Sequence, residues 1–298
     1  MKIVITGANG LVGQHLGKSL IKRPNLNVIC TGINDCRIPL LEKNYRKLNV
    51  SQELEVRNFL AKENPDILVN CAAISHVDIC EEYPEKCNLV NIIGVQNLIK
   101  YLNPNSKFVQ LSTDFVFEGL SLNYSETNET NPVNTYGKSK QEAEKIIQKD
   151  FVNHQIIRTI LVYGFGENLS RNNILTWVHS ALKANNKINV VSDQYRKPTY
   201  IKDLAKGIEE LLYSKKIGIF HLSGEEETSV YQLALKIAEI FEFNKGLIKP
   251  IQSSELKEKG KRPAITGFNL KKTKSTISFN PLSLNNALID SKNGLIKS

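Results

Sequence analysis

The sequence has no run of 18 apolar residues, which excludes a membrane-spanning helix as an expectation. Cysteine is scarce and unpatterned. The five residues (Cys30, Cys36, Cys71, Cys80, Cys87) are odd in number, fall in the first third and form no C-x-x-C pair. A disulfide framework and a structural zinc site are both excluded on that spacing, and the expectation is buried, reduced thiols. The five histidines show no H-E-x-x-H spacing, so nothing points to metal chemistry. The N-terminal apolar run, Met1–Thr6, is too short for a secretory h-region, so the chain is expected to be soluble and cytoplasmic. No segment repeats with a period of 20 to 50 residues, and no low-complexity tract appears.

Hydrophobic residues make up 41% and charged residues 23% of the 298, a globular balance that excludes disorder, collagen and coiled coil. Against 30 Asp+Glu stand 39 Lys+Arg, a formal net charge of +9. The cations are scattered, with modest clusters at Lys257–Arg262 and Lys271–Lys274, and aromatics do not interleave with them. The excess is read as solvated lysines and a phosphate-bearing small substrate, with no nucleic-acid and no membrane partner.

Strand and helix signals alternate through the first half. Lys2–Thr6, Asn27–Thr31, Asp66–Cys71, Lys107–Ser112 and Gln155–Val162 read as strands. Leu11–Leu20, Val90–Leu102 and Tyr136–Gln148 read as helices. This rhythm predicts an α/β protein, a Rossmann-type doubly wound parallel sheet with helices on both faces. After Tyr163 the rhythm weakens. Helices over Asn168–Ala184, Lys202–Tyr213 and Val230–Phe243 and strands near Lys187–Val191 and Gly218–Leu222 predict a smaller C-terminal α/β part. The expected division is a dinucleotide-binding domain over 1–164, with 200–222 returning to it. A substrate-binding part then comprises 165–199 and 223–298.

The first strand runs into Thr6-Gly7-Ala8-Asn9-Gly10-Leu11-Val12-Gly13, a G-x-x-G-x-x-G spacing that opens a helix. Gly7 permits the sharp turn, Gly10 lets backbone approach a pyrophosphate, and Gly13 lets helix and sheet pack closely. The helix N-terminus offers free N–H groups to phosphate. An acidic residue closing the second strand would bind the ribose of NAD. Here that region reads Cys30-Thr31-Gly32-Ile33-Asn34-Asp35-Cys36-Arg37, and Arg37, with Thr31 or Asn34, suits a 2′-phosphate instead. NADPH is the expected cofactor, and Asp35 keeps NADH open.

Tyr136 and Lys140 stand four apart at the start of a predicted helix and share one face. A free tyrosine, with a pKa near ~10, is a poor acid–base at neutral pH, and a nearby ammonium favours its phenolate. The strand Lys107–Ser112 ends in Ser112-Thr113-Asp114, which places hydroxyls where parallel sheets bind ligands. Thr113 is the residue expected to hold a substrate carbonyl.

Together the glycine cradle, the Ser-Thr strand end and Tyr136-x-x-x-Lys140 resemble the extended short-chain dehydrogenase/reductase family, and within it the dTDP-4-dehydrorhamnose reductase branch. The likeness runs through Leu68–Ala73, Val77-Asp78, Leu111–Gly119, Ile157–Thr159, Val162–Gly164, Asp193-Gln194 with Pro198-Thr199, and Arg262–Ala264. It implies NAD(P)H-dependent reduction of a nucleotide-linked 4-keto-6-deoxysugar, with Tyr136 as proton donor, Thr113 at the carbonyl and Lys140 on the nicotinamide ribose. It further implies cofactor contacts from Gly7, Asn9, Gly10, Leu11, Val12 and Gly13, and from Ala72 and Ala73. Substrate contacts are expected from Asp114, Phe115, Asp193, Gln194 and Arg196. Three positions differ from the usual pattern: Phe115 replaces a frequent tyrosine, Leu161 a frequent tryptophan and Arg196 a glycine.

Arg196 reads either as an added phosphate contact or as a solvated loop residue. His76 reads as a polar loop residue or as a group facing the nicotinamide, and Trp177 as a packing anchor or a sugar platform. A related epimerase or dehydratase and a non-catalytic NADP-binding regulatory subunit remain as alternative functions, and a homodimer is left open.

Overall fold

The computed structural model describes residues 1–257 and 259–296. Glu258, inside the Lys257–Arg262 cluster, and the last two residues of the proposed C-terminal part lie outside the described residues. Seven strands form the central sheet: β1 (Lys2–Thr6), β2 (Asn27–Gly32), β3 (Tyr45–Lys47), β4 (Ile67–Asn70), β5 (Lys107–Thr113), β6 (His154–Thr159) and β7 (Gly218–Leu222). Their order across the sheet is β7-β6-β5-β4-β1-β2-β3, and every pairing is parallel.

The apolar strand runs are continuous because both sheet faces are covered. Side chains alternate between the faces. Ile3 and Ile5 of β1 join one core, with Leu16 of the helix Leu11–Leu20 and Leu204 and Ile208 of the helix Ile201–Tyr213. Val4 joins the other, with Val56 and Leu60 of Glu53–Glu63, Val95 and Leu98 of Gly94–Tyr101, and Ala143 and Ile147 of Thr135–Asp150. The order reverses between β1 and β4, and at such a switch point the loops leaving adjacent strands part and open a crevice.

Several elements differ from the sequence expectation. The strand predicted over Gln155–Val162 is cut at Thr159, because Leu161 takes a left-handed φ of 33° and the chain restarts as Val162–Tyr163, paired with Thr199–Tyr200. The helix predicted from Asn168 begins at Ile174, where Asn173 caps Leu175 N and Thr176 N. Residues 89–93 form a single π-helical turn ahead of Gly94–Tyr101. A second, four-stranded sheet joins Thr228–Ser229, Tyr195–Arg196, Ile265–Phe268 and Leu120–Tyr124. Its strands are short, so no sequence period marks them. Among the described residues no helix is long and apolar enough to cross a membrane.

Candidate active site

At the carboxyl end of β1, Gly7 has φ 65°, and a Cβ there would lie 2.6 Å from Ala72 N and 2.7 Å from Cys71 O. Glycine is therefore required at the turn itself. At Gly10 a Cβ would meet only Gly7 O, at 3.2 Å, so its outer side faces open space. Gly10 begins the helix Leu11–Leu20 with no side-chain cap and no acidic residue in the first turn. The N–H groups of Leu11, Val12 and Gly13 are thus left to an outside acceptor, an arrangement suited to a pyrophosphate.

Asn9, expected at the phosphates, spends its side chain on the neighbouring loop. Its Nδ2 donates to Asp35 O (2.9 Å) and the Tyr45 hydroxyl (3.0 Å), while its Oδ1 accepts from Arg37 N (3.0 Å). Tyr45 in turn donates to Asn34 O at 2.8 Å. These bonds fix the loop that carries Arg37 beside the end of β2. Ala72 and Ala73 follow β4 on the same edge, and Ala72 N lies 3.2 Å from Asn70 Oδ1.

The helix Thr135–Asp150 brings Tyr136 and Lys140 to that edge. Asn134 caps it, accepting from Gly137 N at 2.7 Å, and Glu81 accepts from Thr135 N (2.7 Å) and Thr135 Oγ1 (2.8 Å). Gly137 presses onto the carbonyl of Phe115, leaving no room for a side chain. Tyr136 is partly buried, its ring edge-on to that of Phe115 with centroids 6.0 Å apart. Burial pushes the Tyr136 phenol above its ordinary pKa. The hydrogen bond with Thr113 pulls it back, the negative charge of Asp114 and the Cys80 thiol push it further up, and the charge of Arg171 lowers it. The phenol therefore stays protonated through the neutral range.

Lys140 is 3% exposed, and its ammonium has no hydrogen-bond partner or ion pair among the described residues. Burial brings its pKa down to about 8, opposed by the charge of Glu144. The cation is therefore available to hydrogen-bond a ligand. Thr113, closing β5, donates to Asp114 Oδ1 and accepts from Phe115 N, each at 3.2 Å.

The substrate-side candidates divide. Arg196 lies 3.9 Å from Asp114, which also accepts from Thr266 Oγ1 at 2.5 Å. Arg196 is buried, and its guanidinium donates to the carbonyls of Tyr195 (2.8 Å), Ala264 (2.9 Å) and Pro263 (2.5 Å). It is neither solvated nor free for a phosphate, and it locks the second sheet to the end of β5. Asp193 and Gln194 both grip Ser253: Asp193 accepts from Ser253 N (3.0 Å) and Oγ (2.7 Å), and Gln194 Nε2 donates to Ser253 Oγ (3.1 Å). Trp177 packs at the edge of the larger core.

Three further residues stand at the site. Asn91, in the π turn, ties the loop after β4 to the Tyr136 helix, exchanging bonds with Ile74 N (2.9 Å) and Ile74 O (3.0 Å) and donating to Ser139 Oγ (2.9 Å). Ser139 donates to Tyr136 O at 2.7 Å. Arg171 reaches in from an irregular loop, where no periodic signal could have revealed it, and donates to Ser75 O at 2.8 Å. His76 lies close by. Burial and the charge of Arg171 keep its imidazole neutral, and its Nδ1 is buried without a partner.

The parallel sheet, glycine turn and Tyr–Lys helix together define a nucleotide-binding α/β protein of the short-chain dehydrogenase/reductase type. More narrowly, the chain belongs to the RmlD substrate binding domain family, whose pattern matches residues 1–294. It is similar to methionine adenosyltransferase 2 subunit beta of Xenopus laevis, 30% identical over 84% of this chain and 75% of that protein. Among solved structures it is similar to a dTDP-4-dehydrorhamnose reductase from Clostridium acetobutylicum, with 29% identity, a TM-score of 0.86, and 99% and 100% of the two chains covered. It is also similar to the Bacillus anthracis dTDP-4-dehydrorhamnose reductase in complex with NADP, with 25% identity, a TM-score of 0.86, and 100% and 99% covered.

Proposed function

We propose that the protein reduces the 4-keto group of a nucleotide-linked 6-deoxysugar with a reduced nicotinamide dinucleotide, and that the reaction is dTDP-4-dehydrorhamnose to dTDP-L-rhamnose. The observation that carries this reading is the Tyr136 phenol, hydrogen-bonded to Thr113 and one helical turn from the buried side chain of Lys140. The likeness to two dTDP-4-dehydrorhamnose reductases, one of them bound to NADP, supports it.

Gly7, Gly10 and the first turn of Leu11–Gly13 bind the pyrophosphate, and Ala72 and Ala73 line the next loop. Arg37 faces the adenosine ribose and favours NADPH, while Asp35 leaves NADH usable. Lys140 takes the nicotinamide-ribose hydroxyls, which answers its missing partner. The bound dinucleotide supplies the hydride for C4 of the sugar. Thr113 holds the carbonyl oxygen, and Tyr136 gives its proton to that oxygen as charge develops on it, so the ketone becomes a secondary alcohol. A positioned general acid of this kind contributes roughly 10²–10⁴ in rate. Asp114 and Arg196 act by holding Thr113 and Phe115 in place, and Asp193 and Gln194 by shaping the sugar side through Ser253. In this reading residues 1–164 with 200–222 hold the dinucleotide, and the rest of the chain holds the sugar nucleotide.

The likeness to an adenosyltransferase beta subunit favours a second reading, a dinucleotide-binding subunit that acts by association. A panel of nucleotide-linked 4-keto sugars assayed with NADPH and NADH separates the two. Oxidation of the reduced cofactor with one sugar supports the reductase, and binding without turnover on every member supports the subunit.

A further inference from the structure

The second, four-stranded sheet reaches the site through one buried carboxylate. Asp114 follows Thr113 at the carboxyl end of β5 and is 2% exposed. Its two oxygens accept from two different elements. Oδ1 takes the Thr113 hydroxyl at 3.2 Å, and Oδ2 takes the Thr266 hydroxyl at 2.5 Å, from 152 residues along the chain. Thr266 lies buried in Ile265–Phe268, paired with Ser121 on one side and Arg196 on the other. Arg196 Nε stands 3.9 Å from Oδ2, outside hydrogen-bond reach, and Nη1 and Nη2 are spent on the carbonyls of Tyr195, Ala264 and Pro263.

The two hydroxyl bonds are unequal. O–H···O bonds centre on about 2.7–2.8 Å, so the Thr266 bond is tight and the Thr113 bond loose. A threonine hydroxyl has one proton to give. While Thr113 gives it to Asp114, its oxygen can only accept, as it does from Phe115 N at 3.2 Å. To hold a ketone oxygen, Thr113 must turn that proton away from Asp114. A buried carboxylate stripped of its donors makes such a turn costly. Thr266 lowers that cost, because the carboxylate keeps one strong donor while Thr113 moves.

We propose that Thr266 is a positioning residue for the reduction: by holding Asp114, it frees the Thr113 hydroxyl to donate to the carbonyl oxygen of the substrate. The proposal rests on the reductase reading, in which Thr113 meets the ketone. It gives the second sheet a direct hold on that hydroxyl.

The test uses the full chain, NADPH and the sugar nucleotide found active in the panel. Thr266→Val keeps the shape and loses the hydroxyl, whereas Thr266→Ser keeps the hydroxyl. In Thr266→Val, Asp114 holds the Thr113 hydroxyl turned to itself, and kcat is expected to fall at least ~10-fold with NADPH affinity unchanged. Thr266→Ser is expected to retain most of the wild-type rate. A double-mutant cycle reads whether the loss runs through Thr113. In a Thr113→Val background no hydroxyl is left to orient, so adding Thr266→Val should lower kcat little further. A merely structural Thr266 would cost the same factor in both backgrounds. Thr266→Ala is taken through the same cycle, so a valine variant that fails to fold leaves the test standing. Wild-type kcat in the variants without the hydroxyl, no rescue by Thr266→Ser, or equal factors in both backgrounds overturns the proposal. A wild type that turns over no sugar, or a fully active Thr113→Val, brings down the reductase reading and this proposal together. A slowed Thr113→Val beside an unaffected Thr266→Val brings down the proposal alone.

Discussion

Glu144 and Arg158 form a two-pronged ion pair beneath the helix that carries Tyr136 and Lys140, with Nη2–Oε2 at 2.6 Å and Nε–Oε1 at 3.0 Å. Both side chains are 3% exposed, and Ser112 Oγ adds a bond to Glu144 Oε1 at 2.5 Å. Tyr136, Lys140 and Glu144 stand four residues apart on one helical face, so the pair ties the face that carries Tyr136 and Lys140 to β5 and β6.

Glu144→Ala leaves a buried guanidinium without its counter-charge. The expected loss of stability is about 3–5 kcal/mol, read by urea unfolding. Glu144→Ala combined with Arg158→Met should recover part of that loss, since no charge is then left unpaired. A loss below ~1 kcal/mol in the single variant would show that the pair contributes little to holding the helix.

Lys140 gives the ligand-free protein a pH signature. Its folded pKa, about 8, lies below the ordinary 10.5, chiefly through burial. Between those values the unfolded chain binds the proton and the native chain does not, so this group's contribution makes stability rise with pH across that window. Below about pH 8 the native state keeps a buried charge. Lys140→Met should therefore be more stable than wild type at neutral pH, and the gap should narrow from about pH 8 to 10.5. Unfolding curves of both proteins across that range check it, and a constant gap would contradict it.

Gly10→Val places a branched side chain where the cradle is open. The protein should fold, since a Cβ there meets only Gly7 O, but dinucleotide affinity should drop beyond detection in a titration of NADPH fluorescence. Unchanged affinity would remove the pyrophosphate from this turn.

Arg37→Ala tests cofactor choice. Affinity for NADPH should fall by at least ~10-fold, as expected when a charge-assisted hydrogen bond is lost, with little change for NADH. Equal losses for both would detach Arg37 from the 2′-phosphate.

Much of the fold could be read from the chain. Lys2–Thr6, Leu11–Leu20 and Gly218–Leu222 lie where apolar runs, glycines and helical periodicity place them. The regular elements were legible because each buries one or both faces, which forces a period onto the residues. What the sequence hid has no period. The pairing of Ile265–Phe268 with Leu120–Tyr124 is set by contacts more than 140 residues away in the chain, and Arg171 owes its place to a strap held by Gln14, Asn168 and Ser75. Arg196 shows the same limit: its guanidinium turns to Asp114 and three backbone carbonyls because the second sheet brings them there. Local sequence could not say whether that charge faced solvent, substrate or core.

The central claim is that the phenol of Tyr136 delivers the proton to a sugar ketone. Its most direct test compares wild type and Tyr136→Phe, each saturated with NADPH, in turnover of dTDP-4-dehydrorhamnose followed by loss of the reduced nicotinamide absorbance. The account predicts brisk wild-type turnover and a variant slowed by at least ~10²-fold that still binds NADPH normally. Equal turnover by the two proteins would contradict it.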